Sequence, residues 1–304
     1  MSTLEKRSAR PAASGNAGTE IAADGGTNTG AAETAHVGRG GAKAGKAAAG
    51  EKGGAGPTFG AMIARTTEVE LRKILAQFKY RALPVLIALV PLAVMLLNRS
   101  GGIIRLSAEN LPYTLLSLAA YILLPLAACM LAADLFAGER ERGELKIALT
   151  RPVSRPALAI GRIGAMLLYQ AGLLAALLIL SLAAAFLSGA VFGELNLPAV
   201  LGAYAVTMLP AAAVSAAAAF ASTLARSATS GFLLGILLLA VMGGAALAFP
   251  AVSPVMLTEY ATLYKSVIGS EIAFGQLALG AGILLGSFSV LTAAQILLFD
   301  GKEI

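Results

Sequence analysis

From residue 83 onward, polar positions are confined to short clusters between six apolar runs: Leu83–Leu97, Leu111–Phe136, Ile163–Leu187, Ala199–Leu224, Gly231–Phe249 and Ile272–Phe299. Most reach or exceed the ~20 residues that cross a hydrocarbon core. A backbone in lipid must satisfy its own hydrogen bonds, so these runs are predicted as helices. Ahead of them the period changes. Between Thr58 and Arg81, Phe59, Met62, Ile63, Leu71, Ile74, Leu75 and Phe78 recur at helical spacing, with Arg72, Lys73 and Lys79 in between. That pattern predicts a basic amphipathic helix over 58–81 lying at the membrane surface, with Thr67 and Glu70 spaced as a capping box. Residues 1–57 are Gly, Ala, Ser and Thr with scattered charge, too poor in apolar side chains to offset ordering, and are expected to be a disordered cytoplasmic tail. The fold class expected is therefore an all-α membrane protein with six transmembrane helices in one domain over 58–304, preceded by an interfacial helix.

Composition agrees with this pattern. Of 304 residues, 57% are hydrophobic and only 13% charged, which is the balance of an integral membrane protein. The formal charge of +6 invites a nucleic-acid reading, but in a membrane chain the placement of Lys and Arg carries the information, and no nucleic-acid partner is expected. Arg65, Arg72, Lys73, Lys79 and Arg81 precede the first span. Arg140, Arg142, Lys146, Arg151, Arg155 and Arg162 lie between spans two and three, and Arg226 and Lys302 share their side. The other side has Arg99, Arg105 and Lys265. Both termini are accordingly expected in the cytoplasm, with the chain multi-pass in the cytoplasmic membrane and in contact with its lipid.

Several chemistries are excluded. The one cysteine, Cys129, sits inside an apolar run, and the one histidine, His36, lies in the tail, which leaves no disulfide, no His-based metal site and no Ser-His pair in the spans. No ionisable residue falls at the middle of any run, so intramembrane proteolysis and proton-coupled transport lack their carboxylates. Gly40–Lys46, "GGAKAGK", matches the first seven positions of a phosphate-binding loop, but Ala47 stands where Ser or Thr must hold magnesium and no strand precedes it. The chain is expected to have no catalytic residue, no metal and no cofactor of its own.

One cluster is left to explain. The stretch "GERERGELKIALTRPVSRP", Gly138–Pro156, holds Glu139, Arg140, Glu141, Arg142, Gly143 and Glu144 between two spans. Its internal i,i+3 and i,i+4 pairs are worth only ~0.2–0.5 kcal/mol each. A loop that merely obeyed the positive-inside rule would not need the interleaved glutamates or the Pro-Val-Ser-Arg restart, in which Ser154 is placed to cap the next helix and Pro156 to fit its first turn. The segment 137–156 is read as a docking element.

The longer stretch "DLFAGERERGELKIALTRPVSRPALAIGR", Asp134–Arg162, resembles the signature of the ABC type-2 permease family, the membrane subunits of ATP-binding-cassette exporters. Glu144 stands where the family usually has Thr or Ser. The resemblance implies a coupling helix that fits a groove on a separate cytosolic ATPase, with ATP and magnesium bound by that partner, and a second permease copy completing a homo- or heterodimer. It makes Glu139, Arg140, Glu141, Arg142, Gly143 and Glu144 the docking residues and Arg155 and Arg162 the anchors of span three at the headgroups. It also places short outer helices between spans five and six, here in the outer loop 251–271, where Tyr260 and Tyr264 are candidate gate residues. The function expected is export of a hydrophobic or bulky substrate. The alternative is a non-transporting scaffold or sensor that recruits a cytosolic partner through the same hairpin. Small-xxx-small pairs at Gly231 and Gly235, and at Gly282 and Gly286, offer close-packing faces in spans five and six.

Overall fold

The computed structural model describes residues 58–99, 107–143, 154–190, 195–268 and 272–300. Helix α1 is Phe59–Ala76 and α2 is Phe78–Arg99. Helix α3 is a continuous helical run over Ala108–Glu141, α4 is Arg155–Leu187, α5 is Leu197–Leu224, α6 is Ala228–Ala248 and α7 is Phe274–Asp300. Six helices, α2 to α7, are long and apolar enough to cross a membrane, and no strand occurs among the described residues. The six-span expectation is met.

The amphipathic helix is shorter than its periodicity suggests. It stops at Ala76 because Gln77 is extended (φ −78°, ψ 131°), and residues 78–81 already belong to α2. Its cap also differs. Thr58 caps the helix through Ala61 N, whereas Thr67 lies mid-helix and its hydroxyl donates to the Gly161 carbonyl of α4 at 3.1 Å. The expected capping box is thus a lateral tie instead. Gly161 and Gly164 make room for it: a Cβ on Gly161 would stand 2.6 Å from Thr66 Cβ, and one on Gly164 would stand 2.9 Å from Thr67 Oγ1. Thus α1 is seated in a glycine groove of α4.

Helix α5 is the centre of the bundle, packing on α3, α4, α6, α7 and the 3₁₀ helix Glu259–Val267. Its alanines, from Ala211 to Ala221, let neighbours approach closely. Half (50%) of its most apolar window is buried, against 11% in both α6 and α7. Polar side chains stitch the inner helices together. Gln170 of α4 donates to the Leu124 carbonyl of α3 and accepts from Ser215 of α5 at 3.1 Å, and Tyr204 of α5 donates to the Pro112 carbonyl. All are buried, where an unpaired polar group in lipid is costly.

Helix α3 departs twice from regular geometry, with π-helical turns at Ala119–Leu123 and Ala133–Gly138. Pro125 follows the first and cannot donate to the ladder. The second leads directly into Glu139.

Candidate functional site

At the end of the bundle where α1 crosses it, four charged side chains from three helices close into a ring. Lys73 of α1 lies 3.2 Å from both Glu70 of α1 and Glu139 of α3. Arg162 of α4 pairs with Glu139 and lies 3.7 Å from Glu70 through Nε, with its guanidinium 5.7 Å above the Phe136 ring. Glu70 and Glu139 are each 3% exposed and Arg162 is fully buried. Two carboxylates alternate with two cations, so the ring is neutral and each buried charge has an opposite neighbour. Lys73 is the corner that reaches solvent, with its side chain 49% exposed. A second tie lies beside it, where Asp134 of α3 meets both Lys79 and the Tyr80 hydroxyl of α2, and Tyr80 packs edge-to-face on Tyr169.

The next two residues of α3 turn to other helices. Arg140 donates to the Thr223 and Ala225 carbonyls at the C-terminal end of α5, at 3.3 and 3.0 Å. Glu141 accepts from Ala228 N at the first turn of α6, at 2.9 Å, where Ser227 and Ser230 also form a capping box. A cation thus meets orphan carbonyls and an anion meets orphan amides, the arrangement that helix dipoles favour.

The end of α3 therefore binds α1, α4, α5 and α6 through three consecutive residues. This changes the reading of the docking residues. Glu139 is expected at a partner's surface and Arg162 at the headgroups, yet the structure buries both against each other, because α1 and α4 close over them. Arg140 and Glu141 are spent in large part on the turn between α5 and α6. Glu141, Arg142 and Gly143 are exposed, and Gly143 takes a left-handed φ of 69° that ends the helix. Glu144 and the rest of the docking segment through residue 153 lie outside the described residues. Arg155 sits half-buried in the first turn of α4, with Pro156 next to it as expected, but the Ser154 side chain makes no cap bond. Glu70 and Lys73 were not among the expected site residues. The signal available for Glu70 was a carboxylate on the stripe Thr66, Glu70, Ile74, which is the buried face of α1.

At the opposite end, the segment expected as the outer loop folds into the 3₁₀ helices Ser253–Val255 and Glu259–Val267. The two candidate gate residues part company there. Tyr260 borders a cavity of about 770 Å³ and donates to the Pro254 carbonyl at 2.6 Å. Partial burial, and then the adjacent Glu259 carboxylate, hold its phenol above the ordinary range. Tyr264 is buried in the core. Among the described residues no group of three or more His, Cys, Asp or Glu is placed to hold a metal.

A family model described as "ABC-2 family transporter protein" matches residues 28–302. The chain belongs to the ABC-2 permease family. No curated protein matches it. The match includes the whole bundle and also residues 28–57 of the Gly- and Ala-rich tail. As an ABC-2 permease the chain is a multi-pass membrane transport subunit, and the charged junction at the end of α3 falls within the segment whose sequence carries the family resemblance.

Proposed function

We propose that this permease is the membrane half of an ATP-driven exporter, energised by a separate cytosolic ATPase that docks on the segment 137–156. The observation that carries this reading is the junction itself. A displacement applied at Glu141–Gly143 reaches α4 and α1 through the Glu139 ring, α5 through Arg140 and α6 through Glu141. Such a point can transmit a partner's closure to several spans as one rigid movement. ATP and magnesium belong to the partner, a second permease copy completes the pathway, and the charged end faces the cytoplasm together with both termini. The spans carry no ionised side chain at mid-depth among the described residues, which suits a hydrophobic or bulky substrate.

The test is co-expression with the ATPase encoded next to this chain. Arg142→Glu and Glu144→Lys should strip the ATPase from the purified permease while the permease itself still purifies as a folded dimer. Retention of the ATPase by both variants would remove the docking assignment. Vesicles containing the pair should then move a hydrophobic cargo only with ATP. Stable binding without movement would instead support the scaffold reading.

A further inference from the structure

A cavity of about 350 Å³ lies within the single chain between α3, α5, α6 and the outer segment, well away from the charged junction. Its origin is geometric. The π-helical turn Ala119–Leu123 and Pro125 on α3 line it together with Pro210 on α5, so α3 leaves regular helical geometry where α5 carries a residue that cannot donate to its own ladder. The lining is apolar: Cys129 and Val214 form its deep end, a little past the middle of their helices, and no carboxylate, Lys or Arg borders it. Tyr121 and Ile122 on α3 and Ala240 on α6 are exposed at its rim, so it opens sideways, toward the bilayer.

The polar content sits at one end. Thr258 Oγ1, from the outer segment, is buried at the cavity wall with no hydrogen-bond partner. It lies over Gly243 of α6, 3.9 Å from where a Cβ would be. The other lining threonine, Thr207, already donates to the Ala203 carbonyl at 2.8 Å. Buried hydroxyls are normally paired, so an unpaired one at a cavity wall calls for a ligand atom. A 150 Å³ apolar cavity takes a benzene ring, so this one has room for roughly a dozen carbons.

We infer that this cavity binds a single-chain amphiphile taken sideways from the adjoining leaflet, with its apolar chain along Val214 and Cys129 and its hydroxyl or ester oxygen against Thr258. The polarity runs as a lipid's does in the leaflet farther from the charged junction: polar end outward, chain toward the middle. The inference stands apart from the ATPase reading, since it needs neither nucleotide nor partner.

The experiment uses the full chain in phosphatidylcholine nanodiscs without ATP, with dodecanol carrying a mid-chain diazirine as the photoreactive probe. Adducts should concentrate on residues 120–129, 207–214 and 236–240 and be competed away by plain dodecanol. Thr258→Val should raise the dodecanol needed by roughly five-fold, the worth of one net hydrogen bond, and leave competition by dodecane unchanged. Ala240→Phe, at the exposed rim, should abolish these adducts with no change in melting. Labelling spread evenly over α2, α6 and α7, or unaffected by Ala240→Phe, would overturn the inference. So would a zero-length crosslink between Tyr121→Cys copies that shields the rim, because the occupant would then be a second chain.

Discussion

Where α1 crosses the bundle, every buried charge has an opposite charge beside it and three consecutive residues of α3 are committed to four helices. At the other end, between α3, α5 and α6, a buried hydroxyl has no partner and the walls stand apart. The two regions share α3 and each adjoins one of its π-helical turns. The difference lies in the chemistry between the helices. Paired buried charges oppose any shift that would leave one ion without its partner in an apolar medium. Apolar walls around empty space tolerate a shift at small cost. One end is suited to receive force without deforming, and the other to admit something of variable shape.

The strongest way to break this contrast is Glu139→Ala. It leaves Arg162 buried beside a missing carboxylate, and removing one partner of a buried pair costs about 3–5 kcal/mol. The melting transition in detergent should fall by many degrees, and Glu139→Leu with Arg162→Met should recover much of the loss. Next comes Gly161→Ala, whose new methyl meets the stiff Thr66 Cβ of α1 and should cost about 1–3 kcal/mol as an overpacked contact. Faster protease cleavage near Gln77 would report the unseated α1, and Thr66→Ala should suppress it.

A smaller effect is expected at the turn. Glu141→Ala withdraws an anion from the first turn of α6, worth about 0.3–1 kcal/mol, and should show as faster amide exchange at Ala228 with little change in melting. The smallest belongs to the apolar end, and one helix supplies its own control. Ala211→Leu points at the cavity and should be close to neutral in melting, whereas Ala217→Leu, packed in the core with Leu284 of α7, should lower it clearly. Equal losses at the two positions would mean that the cavity is as rigid as the core.

How much of this was legible in the sequence follows from range. The spans were readable because ~20 apolar residues in a row carry their own meaning. The seating of α1 was not, since Gly161 and Gly164 are 94 to 97 residues from Thr67, and the Thr-x-x-Glu spacing pointed instead to a local cap. Glu139 looked like surface charge because four of its five following residues are charged. Its burial depends on Lys73 and Arg162, distant in the chain. Arg140 and Glu141 stand out in the sequence as part of a charged cluster, but the helix ends that they bind become visible only when α5 and α6 are placed beside them. The cavity is a matter of missing atoms. Pro125 and Pro210 were its only traces, and neither says that the other faces it.

Cys129 gives the molecule a built-in clock. It is the only thiol in the chain, it lies against Gly235 of α6 with its side chain closed to solvent, and it forms part of the deep end of the cavity. A small uncharged alkylating reagent reaches that sulfur by way of the cavity. The rate at which the native chain takes up one such group therefore reports how freely the cavity admits a small molecule, and an occupant should slow it, in a protein that needs no engineered label.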